Sequence, residues 1–229
     1  MKRRVCLLVG CAAAFLLCTA ESGAFYDGDV VSSCYKNEEK VIALTFDDGP
    51  HPRLTPEILD ILEEYDVKAT FFVVGYNASY YPDLVKAEAD AGHEVGNHTF
   101  SHANLREASY EELCREISGT ERLIYENTEF RTRLLRPPEG IYSTMVCDAA
   151  EDFDYTIVLW SIDTRDWAHT PSERIAENVL SEVRGGDIIL FHDFIGTDSP
   201  TPDALRQILP VLIADGYRFV TVSELLSAE

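Results

Sequence analysis

Short apolar runs alternate with longer amphipathic stretches from about residue 40 onward. Four runs are rich in β-branched and aromatic residues, which is typical of strands buried on both faces. These four predicted strands are residues 41–46, 69–74, 155–160 and 187–192. Three shorter runs are weaker strand candidates: residues 93–95, 134–135 and 217–221.

The stretches between these strands contain residues that typically start and stop helices. Thr55 and Thr201 each precede a proline, so we expect each to be an N-cap with proline at the first helical position. Ser109 and Glu112 have the spacing of a capping box, which predicts a helix running to about Asn127. Two glycines stand where helix C-termini are expected: Gly92 and Gly216.

This alternation predicts the fold class. Strands separated by helices of about 10–18 residues imply βα units and a parallel sheet. About seven such units favour a distorted (β/α)7-type barrel over an open doubly wound sheet. Nothing in the pattern suggests an internal linker, so residues 40–227 are predicted to form one domain. In such barrels the active site lies at the carboxyl ends of the strands.

The first 20 residues have the pattern of a secretory signal peptide. Basic residues at positions 2–4 precede an apolar run over 5–18, which is shorter than the roughly 20 residues of a membrane span. We therefore expect export, with an uncleaved anchor as the alternative. Residues 21–39 would then be an N-terminal extension.

Composition and charge narrow the class of function. The chain has 229 residues, 46% of them hydrophobic, which is the composition of a globular protein. Its 40 acidic and 19 basic side chains give a formal net charge of −21. Such a charge repels nucleic acids and anionic membranes, so neither is an expected partner. No obligate protein partner is evident, and we expect a monomer.

Three cysteines lie beyond the first 20 residues: Cys34, Cys114 and Cys147. None has the Cys-x-x-Cys spacing of a metal site. One pair could form a disulfide in an oxidising compartment, or all three could remain thiols. The sequence leaves both alternatives open.

Polar residues that could bind a metal or take part in catalysis follow the predicted strands. Asp47 and Asp48 come directly after the first strand, although a plain turn would also account for them. His98 and His102 follow the predicted strand at residues 93–95, and one helical turn would place both imidazoles on the same side. Together with Asp48, these histidines form a two-His, one-carboxylate set that leaves coordination positions open, as catalytic metal sites do.

Charged and aromatic residues also follow the later strands. Arg136 and Glu139 come after the predicted strand at residues 134–135, and Asp166 and Trp167 come after the one at residues 155–160. His192 is the last residue of the predicted strand at residues 187–192. Because the carboxyl ends of barrel strands meet at one face, we interpret these residues as parts of a single active site.

These segments resemble the five motifs of the polysaccharide deacetylases, also called the NodB-homology group or carbohydrate esterase family four. The resemblance covers about residues 40–226. The segments are Thr45-Phe46-Asp47-Asp48-Gly49-Pro50, Asn97-His98-Thr99-Phe100-Ser101-His102, Arg136-Pro137-Pro138-Glu139-Gly140, Asp163-Thr164-Arg165-Asp166-Trp167 and Leu190-Phe191-His192-Asp193. Residues 160–163 and 186–192 look closest to small bacterial sporulation and cell-wall deacetylases.

The resemblance implies a metal centre with an adjacent base. Asp48, His98 and His102 would hold a divalent metal, Zn²⁺ first, with Co²⁺, Ni²⁺ or Mn²⁺ as other options. Asp47 would be the general base, and Arg136 would lie beside it and keep its carboxylate charged.

The resemblance also implies the remaining roles. His192 would be the general acid, with its imidazole oriented by Asp166. Trp167 and Leu190 would line the pocket for the acetyl methyl group. The backbone N–H of Glu139 would complete an oxyanion hole, although the family has an aromatic residue at this position.

The implied function is hydrolysis of acetyl groups on a glycan in the bacterial cell envelope. The enzyme would be secreted or attached to the cell surface and would deacetylate N-acetylglucosamine or N-acetylmuramic acid in peptidoglycan or chitin-like polymers. An O-acetylxylan esterase with the same site is one alternative. A non-catalytic wall-binding protein is another.

Overall fold

The computed structural model describes residues 30–35, 39–196 and 198–227. The predicted signal peptide, residues 1–20, and most of the predicted extension over 21–39 lie outside these ranges. Among the described residues, no helix is both long enough and apolar enough to cross a bilayer.

A curled sheet of nine short strands forms the centre of the described structure. In chain order the strands are β1 (Val30–Val31), β2 (Val41–Asp47), β3 (Thr70–Val73), β4 (Glu94–Asn97), β5 (Leu134–Leu135), β6 (Thr156–Val158), β7 (Ile162–Asp163), β8 (Ile188–His192) and β9 (Arg218–Phe219). Their order across the sheet is β1-β6-β5-β4-β3-β2-β8-β7, with β9 also paired to β2. All of these pairings are parallel. The predicted distorted barrel of parallel strands is thereby confirmed.

Eight α-helices surround this sheet in the described residues: α1 (Leu54–Glu64), α2 (Gly75–Tyr80), α3 (Pro82–Asp90), α4 (Tyr110–Thr128), α5 (Thr144–Asp152), α6 (Ser172–Glu182), α7 (Thr201–Ala214) and α8 (Val222–Ser227). The main core lies between them and the central strands. There the ring of Phe46 stacks on Phe71 at 5.0 Å and on Phe191 at 5.7 Å between centroids. Phe46 and Phe191 directly precede the last residues of β2 and β8, Asp47 and His192, so the core packs against the strand ends.

The seven predicted strands are all present, with ends that differ by at most two residues. β6 stops at Val158 rather than at Trp160. The carbonyl oxygens of Val158 and Leu159 accept hydrogen bonds from the Arg136 side chain. The pattern did not predict β1 and β7, each of which is two residues long.

The predicted capping box of α4 and the two glycines predicted at helix C-termini are confirmed. Ser109 and Glu112 make the reciprocal cap, and φ is +80° at Gly92 and +84° at Gly216. The predicted N-caps Thr55 and Thr201 are wrong, because both residues lie inside their helices. Their hydroxyls instead bind carboxylates near the site: Thr55 to Asp193 and Thr201 to Asp166.

No disulfide joins Cys34, Cys114 and Cys147 in the part of the chain that the structure describes. Of the two alternatives, the structure therefore has thiols. Cys34 is buried where its backbone N–H donates to the carbonyl oxygen of Gly186 at 2.8 Å. This bond joins the segment after β1 to the start of β8.

Candidate active site

Asp47 is the last residue of β2 and lies beside the buried guanidinium of Arg136. Its Oδ1 accepts a hydrogen bond of 2.7 Å from Nη1 of Arg136, whose side chain is 0% exposed. The same guanidinium also donates to the Thr45 hydroxyl and to the carbonyl oxygens of Val158 and Leu159. Because a buried charge must be paired and hydrogen-bonded, these contacts fix the Arg136 side chain and hold one oxygen of Asp47.

Asp48 forms a group of three potential metal ligands with His98 and His102. Its Oδ1 lies 3.3 Å from Nε2 of His98 and 3.3 Å from Nε2 of His102. The three ligand atoms all lie within 4.8 Å of one another. Asp48 has a left-handed backbone with φ of +75°, which turns the chain sharply at the end of β2.

The hydrogen bonding of these residues fits a cation. Nδ1 of His98 lies 2.7 Å from the carbonyl oxygen of Arg136. A carbonyl only accepts, so Nδ1 has the proton and Nε2 of a neutral His98 presents a lone pair toward Asp48. Oδ1 of Asp48 is buried without a hydrogen bond in the described structure. A cation between these lone pairs would satisfy all of them.

The segment that holds the two histidines is not the helical turn that the spacing predicted. Residues 98–102 form an irregular loop, in which Thr99 and His102 have φ of +67° and +53°. The carboxylate of Glu116 in α4 accepts the backbone N–H groups of Phe100 and Ser101. This anchor comes from the next helix, about 15 residues along the chain, so the spacing of the two histidines alone could not predict the local structure.

His192 lines the same cavity as the three potential metal ligands and pairs with Asp166. Nδ1 of His192 is 2.7 Å from Oδ1 of Asp166, which is fully buried. Asp166 also accepts the backbone N–H of His192 and the hydroxyl of Thr201. Burial lowers the pKa of His192, but the hydrogen bond and charge of Asp166 outweigh it and raise this pKa to about 9.

One cavity of about 530 Å³ joins these groups. Its lining contains eight of the ten predicted site residues: Asp47, Asp48, His98, His102, Glu139, Trp167, Leu190 and His192. Arg136 and Asp166 are buried behind the wall and contact the cavity residues Asp47 and His192.

Two further residues line the cavity, Trp160 and Asp163, which stand in segments that the sequence comparison used but had no predicted role. Oδ1 of Asp163 accepts the indole N–H of Trp167 at 3.4 Å. Both residues lie close to the ends of β6 and β7, and this position is the feature that could have indicated them.

Glu139 lies at the edge of the cavity with its backbone in the left-handed region, at φ of +57°. Its carboxylate points away to Nη1 of Arg106 at 2.8 Å, and both side chains are largely exposed. An exposed pair of this kind contributes little to stability. The Glu139 side chain is therefore occupied at the rim rather than at the floor of the site.

Comparison with known proteins agrees with this geometry. Residues 35–158 match the family model described as polysaccharide deacetylase. A peptidoglycan-N-acetylglucosamine deacetylase of Bacillus cereus is 44% identical over 192 residues, which is 83% of this chain and 90% of that protein. The chain therefore belongs to the polysaccharide deacetylase family, and it is a hydrolase.

Two solved structures share the fold closely. The Bc1960 peptidoglycan N-acetylglucosamine deacetylase has a TM-score of 0.82 and 38% identity, covering 87% of this chain and 94% of that one. A family 4 acetyl xylan esterase from Clostridium thermocellum, solved in complex with a cobalt ion, has a TM-score of 0.77 and 35% identity. That alignment covers 82% of this chain and 91% of the esterase.

Proposed function

We propose that this protein hydrolyses N-acetyl groups on N-acetylglucosamine or N-acetylmuramic acid units of peptidoglycan. The observation that supports it best is the set of groups around one cavity: three potential metal-ligand atoms line it together with an arginine-paired Asp47 and an aspartate-paired His192. The name of the Bacillus cereus relative supports the choice of substrate.

Asp48, His98 and His102 would hold a divalent cation, and Zn²⁺ suits their nitrogen and oxygen donors. When bound, the cation supplies Lewis-acid polarisation of the acetamide carbonyl and makes a nearby water molecule more acidic. The buried bond from His98 to the carbonyl of Arg136 would keep that imidazole aimed at the site.

Asp47 would be the general base. Arg136 holds its Oδ1, whereas its Oδ2 lies 3.9 Å from Nε2 of His98 and so faces the ligand group. A carboxylate held on one side in this way offers its other oxygen to the proton of an attacking water.

His192 would protonate the departing amine. Asp166 engages Nδ1, so Nε2 is the nitrogen left to donate toward the substrate. An amine is a poor leaving group unless it is protonated, and a positioned acid contributes a factor of about 10²–10⁴.

The remaining roles concern the acetyl group. The backbone N–H of Glu139 would stabilise the tetrahedral oxyanion, a contribution of roughly 3–4 kcal/mol for such donors. Because this donor belongs to the main chain, the side chain at position 139 need not be aromatic. Trp167 and Leu190 line the cavity and would contact the acetyl methyl group.

An O-acetylxylan esterase is the second candidate, favoured by the structural similarity to the Clostridium thermocellum enzyme. An alkoxide leaves with less proton assistance than an amine does. The variant His192→Ala should therefore impair amide substrates far more than ester substrates. A non-catalytic role in wall binding would not require Asp47 paired with Arg136 or His192 paired with Asp166.

The test is acetate release from purified peptidoglycan, chitin pentamer and acetylated xylan, using metal-stripped protein with and without added zinc. We expect release from an N-acetylated substrate that requires zinc and is lost in Asp47→Ala. The exposed Asp83 of α3 provides a matched control, and Asp83→Ala should keep full activity. Release from xylan alone would replace the proposal with the esterase, and no release from zinc-loaded protein would contradict both.

We further propose that residues 1–20 direct export and that residues 40–227 form the catalytic domain, which would act as a monomer at the cell envelope. Fractionation of bacterial cells expressing the full chain tests the first point. Export of the full chain but not of a chain lacking residues 1–20 is the expected result, and retention of both in the cytoplasm would contradict it.

A further inference from the structure

Asp193 directly follows His192, yet none of the roles above involves it. Its side chain is only 1% exposed. Its backbone N–H donates to the carbonyl oxygen of Asp47 at 3.0 Å, which ties the end of β8 to the end of β2. Burial of a carboxyl group is costly, so its contacts indicate what the residue does.

The carboxylate of Asp193 lies between α1 and the turn after Asp48. Its Oδ2 accepts the Thr55 hydroxyl at 2.5 Å, and Thr55 Oγ1 accepts the backbone N–H of His51 at 2.8 Å. A Cβ atom placed on Gly49 would lie 2.0 Å from Oδ2 and 2.3 Å from Oδ1 of Asp193. The carboxylate therefore fills the space that a side chain at position 49 would need.

This turn needs support, because the left-handed backbone of Asp48 is uncommon outside glycine. The side chain of Asn77 donates to the carbonyl oxygen of Asp48 at 2.7 Å. The backbone N–H of Val74 donates to the carbonyl oxygen of Gly49 at 2.9 Å. Asp193 packs on the remaining side of Gly49, so the backbone that follows Asp48 is held from three directions.

We propose that Asp193 is a positioning residue for the metal ligand Asp48. By packing on Gly49 and holding Thr55, it keeps Asp48 Oδ1 at 3.3 Å from Nε2 of both histidines. This inference rests on the proposed function, because it takes these three residues as ligands. The role differs from that of Asp166, which contacts His192.

The experiment measures the dissociation constant of the full chain for Zn²⁺ by competition with a chromophoric chelator. Substitution of a residue that orients a metal ligand typically lowers metal affinity by about 10–100-fold, and we expect a loss of this size in Asp193→Asn. Asp187, just before β8, is the matched control, because it is 2% exposed and accepts hydrogen bonds from Tyr35 and Ser161. Asp187→Asn should lower stability and leave zinc affinity unchanged.

A second pair of variants decides the matter if Asp193→Asn does not fold. Thr55→Val removes the hydroxyl that Asp193 accepts and should weaken zinc binding several-fold, whereas Thr55→Ser restores the hydroxyl and should restore affinity. Unchanged affinity in Asp193→Asn, an equal loss in Asp187→Asn, or equal behaviour of the two Thr55 variants would overturn the proposal. Unchanged affinity in His98→Ala would instead overturn the metal site itself, and this inference with it.

Discussion

At the scale of single residues, the site consists of charged groups whose partners are fixed. Arg136 makes four hydrogen bonds from a fully buried position. Asp166 accepts three, two from backbone N–H groups and one from Thr201, besides its contact with the imidazole of His192. Preorganised partners of this kind lower the cost of reorganisation during a reaction.

The pairing of His192 with Asp166 makes a prediction about pH. An acid catalyst must be protonated, so activity should fall as the pH rises through the pKa of His192, which the structure raises to about 9. A bound cation would offset the charges of Asp47 and Asp48 and move this limb to lower pH. Asp166→Asn removes the negative partner, so the limb should move lower still, as kcat/KM measured against pH would reveal.

The Asp163→Asn variant is the control for that profile. Asp163 also faces the cavity, but it contacts Trp167 rather than His192. Its alkaline limb should stay near that of the wild type. Identical profiles for Asp166→Asn and the wild type would exclude His192 as the titrating acid.

Loss of Arg136 should destabilise the fold. Arg136→Met leaves Asp47 as an uncompensated buried charge, for which we expect a loss of about 3–5 kcal/mol in the free energy of unfolding. The double variant with Asp47→Asn should recover part of that loss, since no unpaired charge remains. Urea denaturation measures both.

Arg133 provides the comparison, because its ion pair with Asp154 is exposed. Arg133→Met should change the free energy of unfolding by less than about 1 kcal/mol. Equal effects of the two arginine variants would contradict the assignment of Arg136 to a buried pair.

At the scale of elements, α3 contains a buried group that the proposed chemistry does not use. Glu88 is 0% exposed, and neither carboxyl oxygen has a hydrogen bond among the described residues. Burial, with a smaller contribution from the charge of Asp193, raises the pKa of Glu88 well above its ordinary value. Burial therefore favours the neutral, protonated form of Glu88 in the folded protein.

Replacement of Glu88 by an apolar residue should stabilise the protein. In the wild type, folding requires proton uptake once the pH exceeds the ordinary pKa of Glu, so stability is lost as the pH rises from there toward the raised pKa. Glu88→Met should add about 1–3 kcal/mol near pH 8 and less near pH 5. Chemical denaturation at both pH values tests this, with the exposed Glu63→Met on α1 as the control.

At the scale of the whole molecule, the sheet brings distant segments to one face. β2 and β8 lie side by side with Asp47 opposite His192, although about 145 residues separate them. β4 and β5 add the histidine loop and Arg136 from the other side of β2. Metal binding should therefore stabilise the folded state as a whole.

Removal of metal should lower the melting temperature. Zinc at about 100 times its dissociation constant contributes roughly 2.7 kcal/mol to the folded state. A chelator should reverse that gain in the wild type and have no effect in His98→Ala, as differential scanning calorimetry would show. A melting temperature that does not respond to zinc would contradict the ligand set.

The sequence alone predicted seven of the nine described strands and the capping box of α4, because periodicity and capping depend on neighbouring residues. It also indicated eight residues that line one cavity, seven of them polar or aromatic and one, Leu190, apolar, since each lies near the carboxyl end of a strand in a parallel barrel. Local chemistry was sufficient for these features.

Only the tertiary structure decided which partner each group has. It assigned the hydroxyls of Thr55 and Thr201 to carboxylates rather than to helix caps, and it made the histidine segment an irregular loop. It also placed Asp193 against Gly49. These contacts join residues 15 to 144 positions apart, and such separations follow from chain topology and packing rather than from any local pattern.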